Sequence, residues 1–470
     1  MSCIPFQELA MHTTTSTAHS PAPHAPSQPG TSTGRFRKSM SMTALVLFGL
    51  AYMVPLAVFT TYGLVTQMTK GHLPTAYLLT LAAMLLTAYS YGRMVQAHPY
   101  SGSVYTYTRK AFGSHIGFIT GWTLLLDYIF LPLLSYLLIG IYMSEYFPTI
   151  HAWVWVAGSI ALVTFLNLIG IESITRVNWI LVVVQLVFII VFVALSILKL
   201  SGQAEPVSLL APLHHDGFSV PLIMTGAAVL CLSFLGFDAV STMAEETSNP
   251  TYRIPVAILA VSLIGGLLFL VVSYCAQMVF PDWGSFADPD SASVDVMRRV
   301  GGELLVTAFT ATYVAGCFAS AMVSQASVSR VLFAMGRDGA LPRAFGQLVT
   351  KKRVPATAIL VVSLLSLIAL VITLDTVANM ISFGALFAFS AVNLAVVKHY
   401  LVDQKLRGCR NCLLYGAIPG LGFLSTLWLW SSLTSLSFTI GLCWMGLGLL
   451  VLLGLTRALR VKLPELQMAE

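Results

Sequence analysis

A chain of 470 residues with 57% hydrophobic and only 9% charged side chains lies far below the roughly 25% charge of soluble domains. That excludes a water-soluble multi-domain protein, whose polar faces the sequence does not supply, and leaves a membrane protein. The net charge of +6 then reports how Lys and Arg divide between the two sides of a bilayer, not nucleic-acid binding.

In chain order, residues 1–37 are rich in Ser, Thr, Pro and His and read as a disordered cytoplasmic tail. They lack the apolar region of a cleaved signal peptide, so the first span does the targeting. Apolar runs then predict spans at about 42–68, 74–96, 115–147, 152–170, 178–200 and 222–246. A second group falls at about 255–280, 302–333, 357–374, 376–397, 413–433 and 437–457. The runs are continuous, without the alternation of a membrane strand, and each suits a helix of roughly 20 residues. The expected fold is an all-α membrane protein of twelve transmembrane helices. Helices one to ten (38–400) form a transport core, helices eleven and twelve occupy 401–460, and 461–470 is a second cytoplasmic tail.

Of the 25 lysines and arginines, all but Lys70, Lys199, Arg298 and Arg299 fall on the side shared by the two termini. Positive charge marks the cytoplasmic side, so a multi-pass protein of the cytoplasmic membrane with both termini inside is expected.

Two spans are interrupted in comparable ways. The first carries AYMVPLA (51–57), where Pro55 cannot donate an intrahelical hydrogen bond. The sixth carries SFLGFDA (233–239), with Gly236 in its middle. Each alone reads as an ordinary kink. Matched breaks at positions one and six instead point to a five-plus-five inverted repeat with its binding site at the breaks.

Asp238 follows the second break, and an ionisable residue inside a span costs at least about 2.5–3.5 kcal/mol at the bilayer centre. Two compatible roles are open to it: capping the half-helix that follows, or meeting a ligand. Asp127, in GWTLLLDYIFLP (121–132), is a second intramembrane acid without a Lys or Arg in its own helix. Two carboxylates without a protein cation suggest that a cation arrives as substrate or proton. A protonated Asp127 bonded to a neighbouring helix is the alternative. Tyr128 comes next, but successive helical residues diverge by about 100°, so the two cannot both face one ligand.

Phe234, Phe237 and Tyr52 are candidates for an aromatic box around an ammonium group. Glu245 and Glu246, seven and eight residues beyond Asp238, would share its face about 10–12 Å nearer the cytoplasm on a regular helix. There they would serve gating or coupling, as Pro55 would at the first break, or pair with Arg253 or another loop arginine. The histidines lie near segment ends, in loops or in the tail, and no HExxH occurs, which counts against a membrane oxidoreductase or protease. Cys409 and Cys412, of seven scattered cysteines, form an isolated CxxC with nothing to complete a metal site.

GFDAVSTMAEETSNPTYRIP (236–255) and SRVLFAMGRDGALP (329–342) resemble signatures of the amino acid–polyamine–organocation permeases. GLAYMVP (49–55), YSYGRMV (89–95), SGSVYTYTRK (101–110) and LLDYIFLP (125–132) resemble the bacterial putrescine importer subgroup. The resemblance implies twelve helices, an inverted repeat and secondary transport through the broken spans. Amino-acid members hold the α-carboxylate on a glycine-rich first break, whereas YMVPLAV (52–58) has no glycine. That favours a substrate without a carboxylate. Putrescine importers of this kind carry Phe-Asp-Thr-Phe-Gly in the first helix, where this chain has FTTYG (59–63), with Thr60 in place of the acid.

The expected function is proton-coupled import of a small organic amine, putrescine first, with Asp238, Asp127, Phe234, Tyr52, Tyr128 and Gly236 binding it. No cofactor is needed. The coupling ion is a proton, or sodium held around Ser324 and Ser327. The partners are the substrate and the lipid bilayer, with no nucleic acid; the sequence sets no oligomeric state. A dication gains about 4.6 kcal/mol from 100 mV, roughly three decades of accumulation. The rivals are an amino-acid permease and, from another class, an amine-sensing membrane receptor.

Overall fold

Hydrocarbon offers no hydrogen bonds, so each long apolar run has to pair its own backbone groups, and it does so as a helix. The computed structural model describes residues 36, 38–202, 208–213, 217–286, 292–349 and 353–459. Among them, 11 helical segments are long and apolar enough to cross a membrane, and Ala356–Leu370 is a shorter apolar one. The helices belong to one compact unit, Gly34–Glu470. Phe36 apart, the tails expected over 1–37 and 461–470 lie outside the described residues.

The first span is two half-helices. α1 (Met42–Met53) starts at Ser41, whose Oγ accepts from the Ala44 amide at 3.2 Å. It stops at Val54, held at φ 52°, a conformation that a β-branched residue adopts only at a cost. Pro55 follows without an N–H, then a 3-10 turn over Ala57–Phe59 and α2 (Tyr62–Met68). α3 (Leu73–Ala97), the short α4 (Ser103–Phe112), α5 (Ser114–Tyr146), α6 (Ala152–Ile169) and α7 (Ile171–Ser201) complete the first half.

The sixth span begins as α8 (Val220–Leu230) and tightens to a 3-10 turn over Cys231–Phe234. It opens at Leu235 and Gly236, the latter at φ 126°, and resumes as a nine-residue 3-10 segment, Asp238–Glu246. Runs of 3-10 helix beyond three or four residues are uncommon because their hydrogen bonds are poorer. α9 (Pro250–Val279), α10 (Ala292–Arg337), α11 (Ala356–Ser366), α12 (Leu374–Val397), α13 (Cys409–Ser431) and α14 (Ser435–Leu459) follow.

Several boundaries differ from expectation by four residues or more, two of them for plain local reasons. α10 starts ten residues before the predicted 302 because about two and a half helical turns precede the bend at Gly301 and Gly302. The ninth span ends at Leu370, not 374, because Thr373 turns to cap α12, its Oγ1 accepting from the Thr376 amide.

α5 is the central post, packed against both α10 and α12. The α12 contact depends on Gly384, where a Cβ would lie 2.8 Å from the Asp127 amide nitrogen and 2.9 Å from the Thr123 carbonyl oxygen. These are backbone atoms and cannot swing away. Gly384→Ala is expected to cost about 1–3 kcal/mol by overpacking. Gly420→Ala, where nothing lies within 4 Å of the new methyl, should be neutral. Thermal unfolding of the two purified variants measures the contrast.

Candidate functional site

The two breaks are packed on each other. A Cβ at Gly236 would lie 2.6 Å from the Tyr52 ring, so the sixth span approaches the end of α1 only because that position has no side chain. Its positive φ demands glycine independently. The Tyr52 carbonyl, left over at the end of α1, accepts from Ser320 Oγ of α10 at 2.9 Å. That bond satisfies one of the carbonyls every helix end leaves unpaired.

Asp238 is buried at the start of the 3-10 segment. Its Oδ1 accepts from the Gly236 amide at 3.2 Å and its Oδ2 from the Tyr128 hydroxyl at 2.7 Å. It thus caps a freed amide and ties the sixth span to α5. Asp127, one residue before Tyr128 and about 100° round the helix, is fully buried, and among the described residues neither of its oxygens accepts a hydrogen bond. It lies within electrostatic reach of Asp238. Tyr52 feels both acids; its ring stands 6.3 Å from that of Tyr128, and its buried hydroxyl is also unpartnered. The structure therefore brings Tyr52, Asp127, Tyr128, Gly236 and Asp238 together.

A cavity of ≈ 50 Å³ adjoins this cluster, walled by Tyr52, Val54, Thr60, Leu131, Leu134, Ser135, Leu235, Tyr313 and Ser320 among others. That volume holds a few waters, so a larger guest requires its walls to part. Chain direction places it on the side of the breaks away from Arg330 and Arg337. Leu131 lies one turn beyond Asp127 on the same face of α5, and Thr60 lies beyond the Val54 break.

The opposite, basic end is closed by ion pairs. Glu246 pairs with Arg330, both buried, and Glu245 with Arg337 at 3.0 Å. Arg109 of α4 pairs with Asp338, which also accepts from the Tyr105 hydroxyl at 3.3 Å. The Ser101 amide donates to Glu245 Oε1 at 3.2 Å, and the Ser39 and Met40 amides donate to the Glu246 carbonyl. Glu245 and Glu246 do not share a face with Asp238 as expected. A 3-10 segment turns 120° and rises about 2.0 Å per residue, which carries them off that face and about 14–16 Å along. Their partners belong to α10, while Arg253 donates to Ser248 Oγ at 2.6 Å.

The proposed aromatic box is not assembled. Phe234 packs on Phe269 and Tyr77, with ring centroids 5.4 and 6.5 Å away, and Phe237 on Phe389 and Tyr91, at 5.2 and 5.8 Å. Breaking the helix between them sends the two rings to opposite neighbours. Pro55 sits at the first break itself. Ser324 and Ser327 donate to their own helix, at Ser320 O (2.6 Å) and Val323 O (3.0 Å). Sequence reasoning missed Tyr313, Ser320 and the Arg330 and Asp338 pairings. The last two lie inside SRVLFAMGRDGALP, which marks a family but does not reveal what its charges hold.

Two broken spans that enclose buried carboxylates beside a central cavity, within a multi-pass helical bundle, make this a membrane transporter. The chain belongs to the amino acid permease family, whose model matches residues 44–449. It is 36% identical over 442 residues to the low-affinity putrescine importer PlaP of Escherichia coli (strain K12), covering 93% of this chain and 98% of that one. It is 26% identical over 440 residues to the branched-chain amino acid permease BcaP of Bacillus subtilis (strain 168), covering 88% and 92%. A methylthioribose transporter of the same organism is 25% identical over 439 residues, covering 88% and 92%.

Removing one member of a buried ion pair strands the other and costs about 3–5 kcal/mol. Arg330→Gln should therefore lower thermal stability markedly, and Glu246→Gln added to it should restore most of the loss. A double variant no more stable than the sum of the singles predicts would show that the two charges do not act as a pair.

Proposed function

We propose that this protein imports a small organic amine, putrescine first, across the cytoplasmic membrane by alternating access, with a proton as coupling ion. The observation that carries the reading is Asp127: a fully buried carboxylate, beside a second one, with neither oxygen bonded. An ionised carboxylate left so would cost several kcal/mol, which a partner cation removes. An ammonium group supplies that charge with up to three donors. The basic end faces the cytoplasm, following the positive-inside rule. The carboxylates are the proposed proton carriers, in keeping with intramembrane acids that serve proton relays.

The Ala57 and Gly236 amides are not available to an amino-acid substrate. A bound α-carboxylate needs free amides, and at the first break Pro55 has none while the Ala57 amide is spent on Val54 O at 2.7 Å. At the sixth break the Gly236 amide is engaged by Asp238. The name of PlaP, a putrescine importer, supports the amine reading.

Uptake of labelled putrescine into proteoliposomes tests it. Asp127→Asn should lower uptake at subsaturating substrate by about 100-fold, the scale on which a buried charge loses its partner, while the protein remains inserted. With the membrane potential clamped to zero, an inward proton gradient should still accelerate wild-type uptake. Uptake blocked by an amino acid and indifferent to putrescine would assign the amino-acid reading instead. Binding without counterflow would assign a receptor.

A further inference from the structure

The cavity has one charged pole. At its inner end Tyr52 adjoins Asp127 and Asp238, whereas none of the residues lining the cavity itself is charged. Between its ends stand Ala57, Leu131, Leu134 and Leu235, and the hydroxyls of Ser135 and Ser320 there donate to Leu131 O and Tyr52 O. At the outer end stands a pair of neutral hydroxyls, Thr60 Oγ1 and Tyr313 Oη, 2.5 Å apart. The tyrosine is fixed in place: its ring packs on Tyr142 at 4.9 Å and on Phe309 at 5.6 Å. Thr60 is fixed by the 3-10 turn after the first break, its amide donating to Ala57 O at 3.0 Å. Two hydroxyls in contact leave further donor and acceptor capacity for a third group.

Resting on the amine reading above, we infer that the Thr60–Tyr313 pair reads the far end of the substrate, and that its neutrality sets the substrate class. One ammonium is held at the carboxylate pole, the carbon chain lies along the leucines, and the far end meets hydroxyls alone. A second ammonium there gains hydrogen bonds but no countercharge. A monoamine of matching length is therefore accepted nearly as well as the diamine, and a terminal hydroxyl suits the outer pole best. Thr60 is then a specificity-determining residue.

A structural or gating role for the pair predicts something different. Tyr313 sits in an aromatic cluster, and loosening it would change the transport of every substrate by a common factor. A reading role changes the ratio between substrates.

The test measures inhibition of labelled-substrate uptake by n-butylamine, putrescine and 4-aminobutan-1-ol in proteoliposomes. In the wild type, butylamine and putrescine should compete within about tenfold of each other, and the amino alcohol a few-fold better than butylamine. Thr60→Asp should shift the balance toward putrescine by about tenfold, the effect of giving a charged donor a charged acceptor. Thr60→Ser should leave the wild-type ratios. Thr60→Val, nearly isosteric and without the hydroxyl, should remove the amino alcohol's advantage, which keeps the idea testable if the aspartate variant does not insert. A wild type that prefers putrescine by 100-fold would overturn the inference, as would variants that move all three inhibitors by one factor. If none of the amines competes while an amino acid does, the amine reading itself has failed, a result distinct from unchanged ratios.

Discussion

The arrangement rests on one requirement: a polar group in hydrocarbon has to find a partner inside the chain. Breaking a spanning helix violates that requirement locally, and most of the neighbouring geometry answers it. Ser320 takes the carbonyl that α1 leaves at Tyr52, and Asp238 takes the amide that the sixth span frees at Gly236. Because each break supplies part of the other's wall, the Tyr52–Gly236 contact fixes where the bundle is irregular. The breaks are tolerable in this position because Ser320 of α10 supplies one missing partner and Tyr128 of α5 holds Asp238, which supplies the other.

Against that background the two acids are not equivalent. Asp238 is bonded on both oxygens and behaves as part of the frame, holding α5 to the sixth span through Tyr128. Asp127 is equally buried but bonded on neither. Their difference follows from helix geometry. Tyr128 reaches across to the sixth span, whereas Asp127, about 100° round the helix, meets no hydrogen-bond donor among the described residues. Asp238 spends its hydrogen bonds within the chain, and Asp127 leaves its own unspent among the described residues.

Much of this was legible in the sequence because bilayer physics is severe. Span number and approximate ends follow from apolar runs, and the break positions from Pro55 and Gly236, since little else interrupts a membrane helix. Asp127 and Asp238 stand out because charge is rare there. What stayed hidden depends on the direction a side chain takes after an irregular backbone. Phe234 and Phe237 look like a pair three residues apart until the chain opens between them. Glu245 and Glu246 fall off the face of Asp238 because the segment is wound as 3-10 helix, and no residue pattern announces that. Tyr313 and Ser320 look like ordinary residues of a long helix; only the fold sets them against the first break.

The 3-10 segment also joins the two ends of the site. Its first residue, Asp238, is bonded to α5, and its last, Glu246, is paired with Arg330 of α10 and receives the chain before α1 on its carbonyl. Any opening of the basic end has to part the buried Glu246–Arg330 pair, at a cost on the order of 3–5 kcal/mol if one charge were left bare. Water entering the opened end would resolvate both charges and cut that penalty, as exposed pairs are worth about 1 kcal/mol or less. Between the two anchors lies a backbone whose hydrogen bonds are the weakest in the span. The nine-residue segment can therefore rewind at lower cost than the α-helices on either side. The irregular winding that hid the glutamates from sequence reasoning thus runs from the carboxylate pole to the closed end.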